Sequence, residues 1–187
     1  MHGNDDYRFC PRCGARLAVK RLKPGEPERL VCPGCRFVFY IDPKLAASVI
    51  VDMDGRVVLL RRGISPSFGL WVLPGGFVDA GETVAGAARR EAREEAGLEV
   101  AIGDLVGVYS YPGVSVVIVV YEGKATGGAL TAADETLEAR LFRPDEIPWD
   151  TLAFTSTGDS LKDYFKKKEA AGRWISSRMA RRKEPVT

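Results

Sequence analysis

No cysteine follows residue 35, no apolar run is long enough to cross a bilayer, and there is no internal repeat or low-complexity segment ahead of the basic end. The longest apolar stretch, residues 114–120, is strand-sized, whereas a spanning helix needs about 20 apolar residues. The first seven residues are polar and acidic, the wrong chemistry for a secretory signal. A cytoplasmic protein with no membrane attachment is the expectation. With 187 residues and an ordinary 45% hydrophobic content, the chain can form one medium domain, or one domain and a small module.

Charge is nearly balanced overall at +2, but not along the chain. Residues 162–183 hold nine Lys or Arg and two acids, a local +7 that leaves about −5 elsewhere. Such a tail attracts anions. Its plainer reading is a solvated helix followed by a frayed end. The negative sign of the remainder argues against a dedicated nucleic-acid binder.

All four cysteines sit early, as Cys10-Pro-Arg-Cys13 and Cys32-Pro-Gly-Cys35, with eighteen residues between the pairs. That spacing is the one expected of a zinc site. Four thiolates close a tetrahedron and leave no open position, so the ion, Zn²⁺, is structural. Gly14 and Gly34 suit the tight turns because glycine tolerates positive φ. Two disulfides or a redox pair are the alternatives; reducing surroundings disfavour the first, and the duplicated pair fits the second poorly. Short strands are expected at 16–20 and 29–31. A module this small buries little apolar surface, so zinc supplies most of its folding energy.

After Asp42-Pro43 the pattern becomes α/β. Apolar runs at 45–51 and 56–61 flank Asp52-Met-Asp-Gly55, a hairpin signal. Further strands are expected at 98–102, 105–111, 114–122 and 139–143, and helices at 84–96 and 160–171, with a short turn at 144–147. Strands mixed with two helices predict a mixed sheet with helices packed on it.

The chemistry lies in Gly76-Phe-Val-Asp-Ala-Gly-Glu82 and Arg90-Glu-Ala-Arg-Glu-Glu-Ala-Gly-Leu98. A glycine-rich loop feeds a helix that ends at Gly97. Glu91, Glu94 and Glu95 are spaced i, i+3, i+4 and share a face. Ala85, Ala88 and Ala92 form a small-residue stripe for close packing on a sheet. Crowded carboxylates need cations, and hard oxygen donors suit Mg²⁺ or Mn²⁺. The competing reading is a solvated acidic face bridged to Arg89, Arg90 and Arg93.

Together these residues resemble the Nudix box, Gly-x5-Glu-x7-Arg-Glu-U-x-Glu-Glu-x-Gly-U, where U is a bulky aliphatic residue. Every fixed position is matched; Ala92 is smaller than the usual U. The resemblance implies a Nudix α/β/α sandwich and hydrolysis of a nucleoside diphosphate linked to another group. It implies Glu91, Glu94 and Glu95 as ligands of Mg²⁺ or Mn²⁺, with the carbonyl near Gly75–Gly76 as a further ligand. Glu82 would pair with Arg90, which supports the catalytic set of Glu94 and Glu95. Phe9-Cys-Pro-Arg-Cys-Gly14, Tyr40-Ile-Asp-Pro-Lys44, Gly69-Leu-Trp-Val-Leu-Pro-Gly-Gly76 and Leu152-Ala-Phe-Thr-Ser156 extend the likeness. They resemble zinc-ribbon members such as plant plastid FAD pyrophosphatases and bacterial ADP-ribose-type hydrolases. Glu138 fits a catalytic or metal-binding glutamate of the related NADH pyrophosphatases, and Glu135 is the weaker candidate. Those relatives carry Ser-Gln-Pro-Trp-Pro-Phe-Pro after the box, where this chain reads Val108-Tyr-Ser-Tyr-Pro-Gly113.

A nucleobase needs a stacking surface. Trp71, Tyr109 and Tyr111 are the candidates, with Phe68 and Phe154 behind them, and Arg62 is the candidate grip on phosphate. The expected organisation is a ribbon over 1–42, a Nudix domain over 43–168 and a basic tail over 169–187. The expected partner is a small nucleotide, FAD or ADP-ribose, cleaved to release AMP, with a homodimer as the candidate assembly. The rivals are cleavage of NADH or NAD-capped RNA, and an ADP-ribose sensor without turnover.

Overall fold

The computed structural model describes residues 7–172. The chain forms two compact units: one holds the described residues up to Lys44 together with Tyr111–Ser115, and the other Leu45–Ser110 with the described residues from Val116. Most of the basic tail, from residue 173 on, lies outside the described residues. No described helix is long and apolar enough to cross a membrane.

The first unit is a three-stranded antiparallel sheet, β1 (Ala18–Lys20), β2 (Arg29–Val31) and β3 (Val38–Phe39), in that order. Cys10, Leu17, Leu30 and Cys32 form its small core. The first knuckle turns at Gly14 with φ 73°, as expected. At the second knuckle the left-handed residue is not Gly34 but Arg36, with φ 62°. Gly34 serves close approach instead: a Cβ there would sit 3.4 Å from Ala15 Cβ and 3.8 Å from two cysteine sulfurs.

The second unit is a mixed seven-stranded sheet between two helices. Its strands are β4 (Lys44–Met53), β5 (Arg56–Arg62), β6 (Trp71–Val72), β7 (Gly75–Phe77), β8 (Leu98–Tyr109), β9 (Val116–Gly128) and β10 (Thr136–Phe142). The main order is β10-β5-β4-β9-β8, with β6 paired to β5 and β7 to β4. Alternation along the strands divides the core. Val49, Val51, Val58 and Leu60 pack with helix α1 (Val84–Ala96), whereas Ile50, Val57 and Leu59 pack with helix α2 (Thr155–Ala170). The β4–β5 hairpin turns through Asp54 (φ 55°) and Gly55 (φ 77°), the two positive angles that a type I′ turn needs.

Helix α1 begins and ends where its residues dictate. The Thr83 side chain accepts from Gly86 N, and Gly97 closes the helix in the left-handed region. Its packing stripe is Ala87, Ala88, Ala92 and Ala96, all fully buried: Ala88 and Ala92 are as expected, while Ala85 is only partly buried. Helix α2 starts five residues earlier than expected. Ser156, Thr157 and Gly158 are poor helix formers, but they are buried, and Gly158 sits close to Leu152, so tertiary packing outweighs propensity. The two strands expected at 98–111 are one strand, β8, whose register shifts near Leu105 absorb the irregularity.

Candidate functional site

The loop after β7 and the face of α1 are locked together by one guanidinium. Arg90 donates to both Glu82 oxygens, Nε to Oε1 and Nη2 to Oε2, each at 3.0 Å. Its Nη1 reaches Glu91 at 2.7 Å and Glu94 at 3.1 Å, and Nη2 also donates to the Phe77 carbonyl at 3.1 Å. Glu95 turns the other way and accepts from the backbone N–H of Gly75 at 2.9 Å. The i, i+3, i+4 spacing puts the three on one face: Glu91 and Glu95 approach the Gly75–Gly76 loop, and Glu94 is tied in through Arg90. Of the three arginines on the helix, only Arg90 bridges this face.

Glycine makes the convergence possible. A Cβ on Gly76 would overlap the Glu91 carboxylate, with Cδ at 2.6 Å and Oε2 at 2.9 Å. A Cβ on Gly75 would collide with Ser48 and the Ala47 carbonyl on β4.

The electrostatics ask for cations. Burial pushes the Glu95 carboxyl up to about 7, against the Gly75 N–H that favours its charged form; Glu91 and Glu135 push the same way as burial, and Arg62 opposes them. Burial likewise raises Glu91. Glu82 moves down, chiefly through its Arg90 hydrogen bonds, and Arg90 moves up for the reciprocal reason. Three carboxylates share one guanidinium and Glu95 stands on the same face, an excess of negative charge that a hard divalent ion neutralises. The donor set fits Mg²⁺ or Mn²⁺.

Glu135, rather than Glu138, lies in the electrostatic reach of Glu95. The cause is Gly63, whose N–H donates to the Glu135 carbonyl at 2.6 Å and whose bare Cα admits that carbonyl; a Cβ would sit 2.7 Å from it. Glu138 is the cross-strand partner of Arg61, with an ion pair of 3.9 Å. By alternation with Leu59 and Phe142 it faces the α2 side of the sheet. Arg62 is on the α1 side, its Nε donating to Pro66 O at 2.9 Å and its guanidinium 5.1 Å from the Phe154 ring.

The expected stacking residues are dispersed. Trp71 packs edge-on against Phe142, centroids 4.9 Å apart, in the cluster beneath α2. Tyr109 packs there too, and its hydroxyl donates to Asp163 at 2.9 Å. Tyr111 belongs to the ribbon unit. Trp71 and Tyr109 thus pack in the cluster on the α2 side of the sheet, whereas the box glutamates belong to α1.

In the ribbon, the sulfurs of Cys10, Cys13, Cys32 and Cys35 lie within 4.8 Å of one another. Cys10 and Cys35 are 3.7 Å apart and Cys13 and Cys32 3.4 Å. A tetrahedral zinc with bonds of ~2.3 Å separates its sulfurs by about 3.8 Å, so the cluster fits the ion. The Cys35 backbone N–H draws the Cys32 thiol down to about 6. Cys13 is pushed up to about 12: the Ala15 N–H favours its thiolate, but the crowding sulfurs and burial outweigh it. Four neighbouring thiols cannot all ionise without a cation among them.

Comparison with known proteins agrees with this geometry. The NUDIX domain family matches residues 42–164, and the Nudix N-terminal family, a zinc ribbon, matches residues 8–41. The chain belongs to the Nudix hydrolase family. An ADP-ribose pyrophosphatase of Methanocaldococcus jannaschii is 36% identical to this Nudix hydrolase over 137 residues, 71% of this chain and 79% of the relative. The NAD-capped RNA hydrolase NudC of Pseudomonas aeruginosa is 34% identical over 146 residues, 75% of this chain and 49% of that relative. This chain thus spans about half of NudC's length. Among solved structures, a Nudix hydrolase from Nitrosomonas europaea superposes with a TM-score of 0.82 at 36% identity, covering 88% of this chain and 93% of that one.

Proposed function

We propose that this Nudix hydrolase cleaves the diphosphate of a nucleotide derivative, FAD or ADP-ribose, between its two phosphorus atoms and releases AMP. The observation that carries the reading is the Arg90 clamp, which ties Glu91 and Glu94 of one helix face to Glu82 of the loop, while the Gly75 N–H holds Glu95 on the same face.

Glu91, Glu94 and Glu95 would hold Mg²⁺ or Mn²⁺, with backbone oxygen near Gly75–Gly76 as a further donor. When bound, such an ion neutralises the diphosphate and acidifies a water aimed at phosphorus. Arg90 fixes the Glu91 and Glu94 carboxylates, and the Gly75 N–H orients Glu95, so that little reorganisation remains for the reaction itself. We assign to Glu135 the additional carboxylate that the resemblance gave to Glu138, because Glu135 shares a neighbourhood with Glu95 and Arg62. Arg62 would balance charge on the substrate's phosphate.

Adenosine is common to FAD, ADP-ribose and NADH, so discrimination rests on the loops that hold the other end. FAD and ADP-ribose are preferred because Val108–Gly113 lacks the stretch typical of NADH pyrophosphatases, and the M. jannaschii relative is named for ADP-ribose. A second reading, NAD-capped RNA, is supported by the similarity to NudC. A panel of FAD, ADP-ribose, NADH, NAD and NAD-capped RNA, assayed with Mg²⁺ and Mn²⁺ and resolved by chromatography, separates them. AMP released from FAD or ADP-ribose at the highest kcat/KM supports the first reading; NADH or capped RNA in that place overturns it. A Glu95→Gln variant without turnover, about 10²-fold or more below the parent, ties the activity to the box.

A further inference from the structure

The ribbon has a surface that neither the zinc cluster nor the diphosphate site uses. Between Tyr7 and Lys44 there are nine Lys or Arg and only three acids, and residues 111–115 carry no charge. Residues 45–161 reverse the sign, with nine basic residues against seventeen acidic ones. Averaging these two segments is what makes the chain ahead of the tail look uniformly negative.

The register of the ribbon sheet arranges part of this charge. Lys20 on β1 stands directly opposite Arg29 on β2. Because Leu30 pairs with Phe39, the next position, Tyr40, comes opposite Arg29 on the other side. Lys20, Arg29 and Tyr40 therefore form a row across three strands, on the face opposite Leu30 and the ribbon core. The Arg29 guanidinium lies 5.1 Å from the Tyr40 ring centroid, and the ring remains 54% exposed. Phe9, on the same unit, is 66% exposed.

Two like charges directly opposite each other destabilise a sheet. Among the described residues neither Lys20 nor Arg29 has a carboxylate partner, and the ion pair within the ribbon is Lys23–Glu26. A local conflict of this kind, kept in a module with a very small core, marks a place where an outside anion completes the structure. The anion must also explain the ring. A small phosphate would satisfy the two cations and leave Tyr40 without purpose. An acidic peptide would do the same. A strand with phosphates at regular intervals and flat bases between them uses both, by counterion release and by stacking.

We propose that the outer face of the ribbon sheet, with Lys20, Arg29 and Tyr40 in its row, binds a single strand of nucleic acid. Phosphates lie along Lys20 and Arg29, and a base stacks on Tyr40 beside the guanidinium. The row shares no residue with the box, so this binding stands or falls independently of the diphosphate chemistry.

Fluorescence anisotropy of the zinc-loaded full chain with a labelled twelve-nucleotide oligouridylate tests it at low and at moderate salt. Binding should weaken steeply with salt. Tyr40→Ala should weaken it about 5- to 100-fold, while Tyr40→Phe, which keeps the ring, should retain it. Arg29→Ala should lower the log–log salt slope by about 0.7, the share of one phosphate on a single strand. ADP-ribose turnover and zinc content should not change in these variants, which shows that the ribbon is intact. Absence of binding at low salt, equal affinity for a labelled polyglutamate, or indifference to Tyr40→Ala would each overturn the proposal. So would a salt-sensitive dimer that does not take up RNA, which would make the acidic Nudix domain of a second copy the occupant.

Discussion

Glu82 and Arg90 meet through two parallel hydrogen bonds of 3.0 Å, and the remaining Arg90 nitrogen is shared between Glu91 and Glu94. One side chain thus carries the loop geometry to two of the three carboxylates. Arg90→Lys keeps the charge but has no planar fork, so it cannot hold both partners at once. We expect kcat to fall about 10- to 100-fold and the requirement for divalent metal to rise, with thermal stability changed little. A metal titration of initial rates checks this; parent-like rates at ordinary metal concentration would contradict the clamp.

Glu135 and Glu138 should differ sharply. Glu135→Gln removes a carboxylate from the surroundings of Glu95, and an expected loss of about 10-fold or more in kcat follows. Glu138→Gln breaks only an exposed pair with Arg61 at 3.9 Å, and its effect on turnover should stay within about twofold. Steady-state kinetics on both variants decide the assignment, and the reverse ranking would return the role to Glu138.

The ribbon should hold one zinc per chain. Cys32→Ser should release it and loosen residues 8–41 while the Nudix domain stays folded, because the ribbon core is separate from the two clusters around the large sheet. Arg36→Gly should instead stabilise the ribbon by about 0.5–1 kcal/mol, since a left-handed φ of 62° disfavours a residue with a Cβ. Metal analysis and amide hydrogen exchange read the two effects. Metal-free protein purified without chelator, or faster exchange in Arg36→Gly, would count against them.

Tyr164 gives the fold a dependence on alkaline pH. Its hydroxyl donates to Asp52 at 2.7 Å, and burial, then Asp52 and Glu122, raise its pKa above the ordinary tyrosine value. A raised folded value means that this contribution is complete below about pH 10, where the unfolded phenol begins to ionise, and is lost as pH rises beyond it. Tyr164→Phe should cost about 1–3 kcal/mol at pH 8. Urea denaturation at pH 8 and above 10 should show that gap closing; a gap that widens with pH would contradict the sign.

Local chemistry was the readable part. Gly97 marks the end of α1, Asp54-Gly55 marks the β4–β5 hairpin, and the glutamate spacing marks the face, because each signal acts within a few residues of itself. What could not be read depends on distant neighbours. Trp71 and Tyr109 look like stacking residues until the sheet turns them toward α2. Glu135 reaches Glu95 only because Gly63, seventy-two residues before it, lets the chain approach. The early start of α2 depends on burial of Ser156 and Thr157, which propensity scores against. Arg36 in place of glycine gives no sequence signal for its backbone angle.

The Lys44 N–H donates to the Ser115 carbonyl at 2.8 Å, and residues 111–115 cluster with the ribbon although they lie between two strands of the hydrolase sheet. Inheritance and folding therefore draw different borders in this chain. A genetic exchange that joined a ribbon to a hydrolase at one peptide bond near residue 42 would leave residues 111–115 behind, five of the forty-nine that cluster as the first unit. For a domain-swapped chimera, the β8–β9 connection has to travel with the ribbon. Sequence drift in that connection is then answerable to the ribbon's stability as well as to the substrate, so a substitution there can pass a turnover assay and still fail in the cell.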